Sequence, residues 1–247
     1  MKRPVPLFSW FIPIDGDGAY IGTSLPERNP TFEYLKKVTE TAEKGGLYSL
    51  LIPTRFVNGL FEERAPLAET WTMATALAAV SNRIRFLVAV RPGFISPGLF
   101  AQMASSLDAI SNGRIDINIV PGGIQGDFER LGEISDHNYR YERAEEFIEA
   151  CRMLWKQPEH VTFSGRFVKL NRALVSPSPT GDGPKFYLGG ASESALRLAS
   201  RQSDVYLAWI QSLEGIARHL ERAREHFLVS GRNPVFGLRS HLVLRDT

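Results

Sequence analysis

Two side chains near the end of the sequence could bind an anion and transfer a proton. Arg239 and His241 lie two residues apart in an apolar run, so on a β-strand they would share one face. A guanidinium matches the shape of an oxyanion, and an imidazole exchanges protons near neutral pH. If this face lines the mouth of a barrel, the pair suits an anionic substrate. The alternative is that both side chains point outward, toward helices or solvent.

Two glycine-rich turns follow apolar runs and could bind a phosphate. They are Val120–Gly123 (VPGG) and Gly189–Ser192 (GGAS). In the second turn, Gly190, Ala191 and Ser192 precede a predicted helix, whose N-terminal N–H groups and dipole attract anions. The alternative is an ordinary strand-to-helix turn, because such turns accept Gly and Ser in any case.

Several other residues near predicted strand ends could contact a ligand, but each could equally have only a packing role. Trp209 could line a pocket, and Arg91 could contact a phosphate or complete a loop. Tyr141 lies at the start of a helix, where aromatic rings more often pack than bind ligands. Arg114 and Asp116 flank one strand, and we expect an ion pair between them.

The sequence lacks the motifs of several catalytic classes. It has no H-E-x-x-H or C-x-x-C pair, and its 5 histidines are widely spaced, so no metal site is expected. It also has no G-x-S-x-G elbow, no phosphate-binding G-x-x-x-x-G-K-S/T loop and no G-x-G-x-x-G after a strand. Interpretations as a hydrolase, a nucleoside triphosphatase or a dinucleotide fold lose their usual support.

The elements that position these residues are short apolar runs alternating with segments of helical period. This pattern is typical of strand–helix units and a parallel sheet. Seven strands are predicted, at residues 7–14, 49–53, 84–90, 115–120, 185–188, 205–210 and 235–244.

Six helices are predicted from capping residues and apolar spacing. The first begins near residue 31 with Asn29 as its cap and ends at Gly45. The others span residues 68–80, 96–111, 141–155, 192–201 and 213–228. Cys151 lies among the apolar positions of its helix, so we expect an inert thiol in the core.

The pattern predicts an α/β fold, a TIM (β/α)₈-type barrel, better than it predicts two domains. Residues 158–184 combine prolines with short β-like pieces at 160–163 and 167–170, so we expect an insertion before the fifth strand. No eighth strand is found, and we expect residues 1–247 to be one barrel domain that is incomplete at its C-terminus. An open parallel edge favours a shortened form of a longer protein, or else closure by a partner.

Composition narrows the class of protein. With 43% hydrophobic and 23% charged residues, the 247-residue chain has globular composition. A net charge of +2 gives no electrostatic footprint for nucleic acid or an acidic membrane, and no run approaches the length of a membrane span. The single cysteine suits a reducing compartment, so a cytoplasmic location is expected.

In order, these segments resemble the bacterial luciferase-like flavin-dependent monooxygenases, and most closely the alkanesulfonate monooxygenase branch. The resemblance is collinear over nearly the whole chain and includes 8–23 (FSWFIPIDGDGAYIGT), 83–97 (RIRFLVAVRPGFISP), 106–120 (SLDAISNGRIDINIV), 185–192 (KFYLGGAS) and 236–245 (FGLRSHLVLR). The L-D-x-x-S-N-G-R segment is specific for the superfamily, and D-G-x-Y-x-G-T points to the sulfonate branch.

The resemblance implies a luciferase-like barrel that binds FMN without a covalent bond. The FMN would arrive reduced, as FMNH2, from a separate NAD(P)H-dependent flavin reductase. With O2 it would oxidise a small organosulfur compound, and an alkanesulfonate would yield an aldehyde and sulfite. A homodimer or homotetramer is also implied.

The resemblance assigns roles by position. Asn118 and Tyr141 match flavin-contacting positions, and the turn of Gly190, Ala191 and Ser192 matches the site of the flavin phosphate.

The substrate side is assigned in the same way. His241 and Arg239 match a catalytic pair in which the arginine is the partner of the anion, and Trp209 matches an aromatic wall of the substrate pocket.

The chain departs from the sulfonate branch at three places near the predicted mouth. Asp15 replaces a histidine before Gly-Asp-Gly, and 54–57 (TRFV) with a longer insert replaces a segment that carries a cysteine. Pro121 stands where a small or hydroxyl residue is usual.

Two other functions fit the same sequence. One is a deazaflavin-dependent oxidoreductase of the same superfamily, which would act without oxygen. The other is a non-catalytic flavin-binding protein, which the missing eighth strand favours and the retained pair of Arg239 and His241 opposes.

Overall fold

The computed structural model describes residues 5–19, 23–123 and 125–240, with the backbone alone at Gln125. His241, predicted to be catalytic, lies outside the described residues.

The described residues form nine strands and seven helices. The strands are β1 (Ser9–Phe11), β2 (Ser49–Ile52), β3 (Arg85–Val90), β4 (Ile115–Ile119), β5 (Val161–Ser164), β6 (Lys169–Ala173), β7 (Phe186–Gly189), β8 (Val205–Trp209) and β9 (Val235–Arg239). The helices are α1 (Phe32–Lys44), α2 (Thr70–Ala79), α3 (Pro97–Ser111), α4 (Gln125–Glu129), α5 (His137–Lys156), α6 (Glu193–Gln202) and α7 (Leu213–Val229).

Seven of the strands form one sheet in the order β1-β2-β3-β4-β7-β8-β9. Every neighbouring pair in it is parallel, as strand–helix–strand connections require. β5 and β6 pair antiparallel in a separate two-stranded sheet between α5 and β7. This arrangement confirms the α/β barrel-type fold predicted from the sequence.

Three details of the helices differ from prediction. α1 is capped by Thr31 rather than Asn29, because the Thr31 hydroxyl accepts the N–H of Tyr34 over 3.2 Å. α5 begins at His137, four residues earlier than expected, because the Asp136 carboxylate accepts the N–H of Tyr139 over 2.8 Å. The short helix α4 in the glycine-rich loop was not predicted.

The main core lies between the sheet and the helices. Alternate strand residues point to it and are almost fully buried; they include Leu50, Ile52, Phe86, Val88, Ile115, Ile117, Phe186 and Leu188. Cys151 is fully buried on α5, and burial raises the pKa of its thiol well above the usual value. The prediction of an inert core cysteine is confirmed.

The opposite face of the sheet curls around the barrel interior. Arg239 of β9 and Phe11 of β1 belong to strands at opposite ends of the sheet, yet the guanidinium carbon lies 4.5 Å from the centre of the Phe11 ring. A flat sheet would hold these strands far apart, because neighbouring strands are spaced about 4.8 Å. The two edges therefore approach each other, as in a barrel.

An ion pair joins β3 and β4 in the lower part of this interior. Arg85 Nη2 lies 3.0 Å from Asp116 Oδ1, and its Nε donates to Oδ2 over 3.1 Å. The expected pair of Asp116 with Arg114 is wrong. Asp116 points into the barrel, whereas Arg114 precedes β4 and donates to the carbonyl oxygens of Ile84 and Ala78.

No helix of the described residues is long and apolar enough to cross a membrane. Within those same residues, no group of three or more His, Cys, Asp and Glu side chains could hold a metal ion.

Candidate functional site

The candidate site lies at the edge of the sheet where the parallel strands end. Parallel strands bring their C-terminal ends to one edge, so the turns after β1, β2, β3, β4, β7 and β8 meet there, beside the end of β9. All of the described site residues predicted from the sequence, except Tyr141, lie on these strands or turns.

The turn after β7 has a glycine that the local packing requires. Gly190 has φ +137°, a conformation that side chains rarely adopt, and a Cβ there would lie 2.7 Å from the Cβ of Ala195. Ser192 follows as the N-cap of α6, and its hydroxyl accepts the N–H of Ala195 over 3.2 Å. The chain thus passes tightly into the positive end of a ten-residue helix.

Tyr141 of α5 lies against this turn. A Cβ added at Gly190 would lie 3.5 Å from the Tyr141 hydroxyl oxygen, and one at Gly122 would lie 3.0 Å from it. Burial raises the pKa of the Tyr141 phenol, and a hydrogen bond with the Ser192 hydroxyl opposes that rise. The two glycine-rich turns and two hydroxyl groups therefore come together at one place.

A second tyrosine supports the same turn from the other side. The Tyr206 hydroxyl donates to the Gly190 carbonyl oxygen over 2.5 Å and lies 2.8 Å from Nε2 of His219. Arg222 donates to the Ala191 carbonyl oxygen over 3.4 Å. These side chains donate hydrogen bonds to the carbonyl oxygens of the turn. The backbone N–H groups of the turn remain as the donors that could bind an anion.

Asn118 lies on β4 between Ala89 of β3 and Tyr187 of β7. Its neighbours Ile117 and Ile119 are buried against the helices, so alternation places Asn118 on the barrel-interior face. The side chain is partly buried there, within the same interior as the turns.

Arg239 and Trp209 meet at the ends of β9 and β8, where they are register partners. The Arg239 guanidinium carbon lies 3.9 Å from the centre of the Trp209 ring and 4.5 Å from that of Phe11. Burial and, after it, the charge of Arg55 lower the pKa of this guanidinium. Arg239 thus points into the barrel mouth, one of the two orientations considered from the sequence. The sequence did not indicate the contact with Phe11, because β1 and β9 lie at opposite ends of the sheet order and meet only when the sheet curls.

Two of the departures from the sulfonate branch pair with each other. Arg55 Nε lies 3.2 Å from Oδ1 of Asp15, whose carboxylate is almost fully buried. The N–H of Gly59 donates to the same carboxylate over 2.9 Å, and the Asn58 amide donates to the Asp15 carbonyl oxygen over 2.7 Å. The segment after β2 is therefore tied to the turn after β1. Sequence reasoning missed this pairing because the two residues are 40 positions apart.

Arg91 follows β3 and lies in an aromatic cluster that the sequence did not indicate. Its guanidinium carbon lies 5.0 Å from the centre of the Phe56 ring and 4.6 Å from that of Phe128. Phe94 packs on both rings, with centroid distances of 4.8 and 6.0 Å. These three rings come from the turns after β2, β3 and β4, so only the tertiary structure brings them together.

Comparison with known proteins gives the family. The model of the luciferase-like monooxygenase family matches residues 7–247. The EDTA monooxygenase from Chelativorans sp. BNC1 is 21% identical over 94% of this chain, with a TM-score of 0.79. A riboflavin lyase with modified FMN and riboflavin, and a coenzyme F420-dependent secondary alcohol dehydrogenase with an F420–acetone adduct, are each 18% identical over 94% of the chain, with TM-scores of 0.80 and 0.76.

These structures are longer than the chain, which covers 63%, 62% and 68% of their respective lengths. At such low identity they show a shared fold, in agreement with the parallel sheet and its curled interior. The family itself follows from the family model, whose match includes the candidate turns and all the strands of the sheet. The chain belongs to the luciferase-like monooxygenase family.

Proposed function

We propose that this protein is a two-component flavin-dependent monooxygenase that uses reduced FMN and O2 to oxidise a small organosulfur acid. The observation that carries the proposal is the juxtaposition of the turn 190–192 with Tyr141, at the same edge of the sheet as Arg239. One part of this edge suits a phosphate, and another carries a cation held between two aromatic rings. An alkanesulfonate is the substrate that we propose first.

The residues of the turn fit the phosphate of FMN. Without side chains, Gly190 and Gly122 let the two turns pass close to Ala195 and to the Tyr141 hydroxyl, and the Ser192 hydroxyl lies beside that phenol. We assign Gly190, Ala191 and Ser192 to the phosphate and Asn118, on the interior face, to the flavin ring. The modified FMN in the similar riboflavin lyase structure supports this choice of cofactor.

The chain supplies binding, orientation and exclusion of water. Reduced FMN, when bound, supplies the two electrons that oxidation of the substrate by O2 requires. Arg239 is proposed to hold the acid group of the substrate. Because Trp209 and Phe11 cover the guanidinium from two sides, its attraction for an anion is less screened by water than at an open surface. His241 is proposed as the proton-transferring partner of Arg239.

For a sulfonate, the proposed reaction breaks the carbon–sulfur bond. One oxygen atom of O2 appears in the aldehyde and the other in water, and sulfite leaves. The proposal includes a separate NAD(P)H-dependent reductase as the source of reduced FMN, a homodimeric or homotetrameric assembly, and a cytoplasmic location.

A second candidate is a deazaflavin-dependent oxidoreductase. The observation that favours it is the likeness to a secondary alcohol dehydrogenase that uses coenzyme F420, with a TM-score of 0.76. The two candidates differ in cofactor and in their need for oxygen.

Release of sulfite tests the proposal. The protein is supplied with reduced FMN in air and with linear alkanesulfonates of increasing length, and sulfite is measured against time. We expect sulfite only when protein, reduced FMN, O2 and sulfonate are all present. Turnover that needs F420 in place of FMN and proceeds without O2, with oxidised F420 accepting two electrons from an alcohol, would contradict the monooxygenase and support the second candidate.

Replacing Arg239 tests its role in the same assay. We expect Arg239→Met to lower kcat/KM by about 10- to 100-fold, because a hydrogen bond to a charged group is worth about 1.5–3 kcal/mol. Affinity for reduced FMN should stay within a few-fold of the wild type. Arg166→Met is the matched control, because Arg166 also stacks on two rings, Tyr139 and Phe167, but is exposed and paired with Glu142. If Arg239→Met lowered the affinity for reduced FMN by as large a factor as it lowered kcat/KM, the assignment of Arg239 to the substrate would be contradicted.

A further inference from the structure

Arg91 is a buried cation whose surroundings leave part of it without a partner. The residue is only 7% exposed, at the end of β3. Within the described part of the chain, its Nε and Nη1 atoms have no hydrogen-bond partner. Buried guanidinium nitrogens are normally bonded, because they lose their water on burial.

The neighbours of Arg91 do not supply the missing acceptors. The rings of Phe56 and Phe128 contact the guanidinium through their faces, which attract a cation but accept no conventional hydrogen bond. Asp127 is near enough for its charge to raise the pKa of Arg91, but burial outweighs this and lowers that pKa. Gly123 approaches closely, since a Cβ there would lie 2.6 Å from Nη1.

Positive charge also accumulates around this guanidinium. The guanidinium carbon of Arg140 lies 4.5 Å from the centre of the Phe128 ring, which Arg91 also contacts. The charges of Arg55 and Arg140 both lower the pKa of Arg91, while Arg55 is already paired with Asp15. A bound anion would offset this repulsion and accept the free N–H groups at the same time.

Space for a ligand lies beside Arg91. A groove of about 540 Å³ is lined by Thr54, Phe56, Arg91 and Phe94 and continues between α2 and α3. Its walls combine apolar side chains such as Trp71 with polar ones on the two helices. The Glu69 carboxylate also lines the groove, where it accepts the N–H groups of Trp71 and Thr72. The groove could take the short apolar part of an organic acid.

We propose that Arg91, enclosed by Phe56, Phe94 and Phe128, is the centre of a second binding site that takes the oxyanion group of a small ligand. The oxyanion is a sulfonate or carboxylate of an organic acid, or a free inorganic sulfate. The site lies at β3, apart from the pair of Arg239 and Trp209 at β8 and β9, and its binding of an anion does not depend on flavin.

Calorimetric titration tests the site without an activity measurement. Because 1-butanesulfonate could also bind at Arg239, the wild type and a protein carrying Arg239→Met are both titrated, and the Arg91 substitutions are compared in the Arg239→Met protein. The titrants are 1-butanesulfonate and, separately, sodium sulfate at constant ionic strength, with and without saturating FMN. We expect saturable binding of at least one of them and a loss of at least tenfold in Arg91→Met. Arg166→Met, which loses an exposed stacked arginine, should bind like the wild type.

Two additions keep the test decisive. Arg91→Lys keeps the charge but loses the planar fork, so we expect at least fivefold weaker binding; it decides the question if Arg91→Met does not fold. Tighter binding of butanesulfonate identifies an organic acid as the ligand, and tighter binding of sulfate identifies the free ion. The proposal is overturned if neither anion binds the folded Arg239→Met protein, or if adding Arg91→Met or Arg91→Lys to that folded protein leaves binding within twofold. Binding of reduced FMN is measured in a separate titration. Its loss would count against the proposed monooxygenase function and not against the anion site at Arg91.

Discussion

At the residue scale, the account depends most on Gly190. Its φ of +137° and the 2.7 Å approach of a Cβ to Ala195 leave room for no other residue. We expect Gly190→Ala to weaken reduced-FMN binding by about tenfold or more and to cost about 1–3 kcal/mol of unfolding free energy, since strained backbone conformations cost that much. Fluorescence titration and urea denaturation measure the two effects.

Gly231 provides the matched control. It also has a positive φ, +67°, but a Cβ there would meet nothing within 4 Å. Gly231→Ala should therefore lose stability without loss of flavin affinity. A Gly190→Ala variant that binds reduced FMN like Gly231→Ala would rule out the turn as the phosphate site.

The sequence predicted the local part of the site better than its distant pairings. The turn around Gly190 and the cap at Ser192 follow from neighbouring residues, and the structure brings Tyr141 to them. The pair of Asp15 and Arg55 and the aromatic cluster at Arg91 need contacts between different turns. Such contacts depend on strand order and curvature, which the spacing of residues does not contain.

At the element scale, Glu43 joins the end of α1 to the start of β3. Its Oε2 accepts the N–H groups of Asn82, Arg83 and Ile84 over 3.0–3.1 Å. Burial alone would raise the pKa of Glu43, but these three hydrogen bonds outweigh it and lower the pKa below the usual 4.5. The carboxylate therefore stabilises the folded state above about pH 4.5 and loses this effect as the pH falls through its lowered pKa.

We expect Glu43→Gln to lower the unfolding free energy by about 1–3 kcal/mol at pH 7, the range for hydrogen bonds to a charged group. The difference from the wild type should shrink steadily as the pH falls below 4.5. Urea denaturation at several pH values measures it. Glu40→Gln on the same helix is the control, because Glu40 is exposed and its 3.9 Å pair with Lys36 should contribute less than about 1 kcal/mol. A pH-independent deficit in Glu43→Gln would show that its charge is not what stabilises the junction.

The elements themselves were largely predictable, because each parallel strand is a short apolar run and each helix except α4 has a cap. Asn112 ends α3 in a left-handed conformation, φ 53°, as the Asn-Gly pair in the sequence indicates. The short α4 was missed because five residues without apolar periodicity give no helical signal.

At the scale of the whole molecule, the barrel interior has a structural end and a candidate functional end. Arg85 and Asp116 pair inside the barrel near the start of β4, whereas Arg239 contacts Phe11 and Trp209 at the C-terminal end of the strands. We expect substitutions in the pair of Arg85 and Asp116 to lower stability, and substitutions around Arg239 to weaken ligand binding. This division follows from the parallel direction of all the strands in the sheet.

We expect Asp116→Asn to lower the unfolding free energy by about 1–3 kcal/mol, because the partly buried Arg85 guanidinium loses its carboxylate but keeps the carbonyl oxygens of Gly113 and Ile115. Reduced-FMN affinity of the folded variant should stay within about threefold of the wild type. Thermal unfolding with and without reduced FMN separates the two effects. A large loss of affinity at full stability would contradict the division of the barrel into two ends.

Binding of reduced FMN at the turn 190–192 is tested by an anaerobic titration with reduced FMN, followed by tryptophan fluorescence. Oxidised FMN and reduced F420 serve as comparison ligands, and Ser192→Ala is compared with Ser96→Ala, which removes the equivalent cap of α3. The account predicts saturable binding of reduced FMN, tighter than that of either comparison ligand, and about tenfold weaker binding in Ser192→Ala alone. Absence of saturable binding by the folded wild type, or equal affinity in the two serine variants, would contradict it.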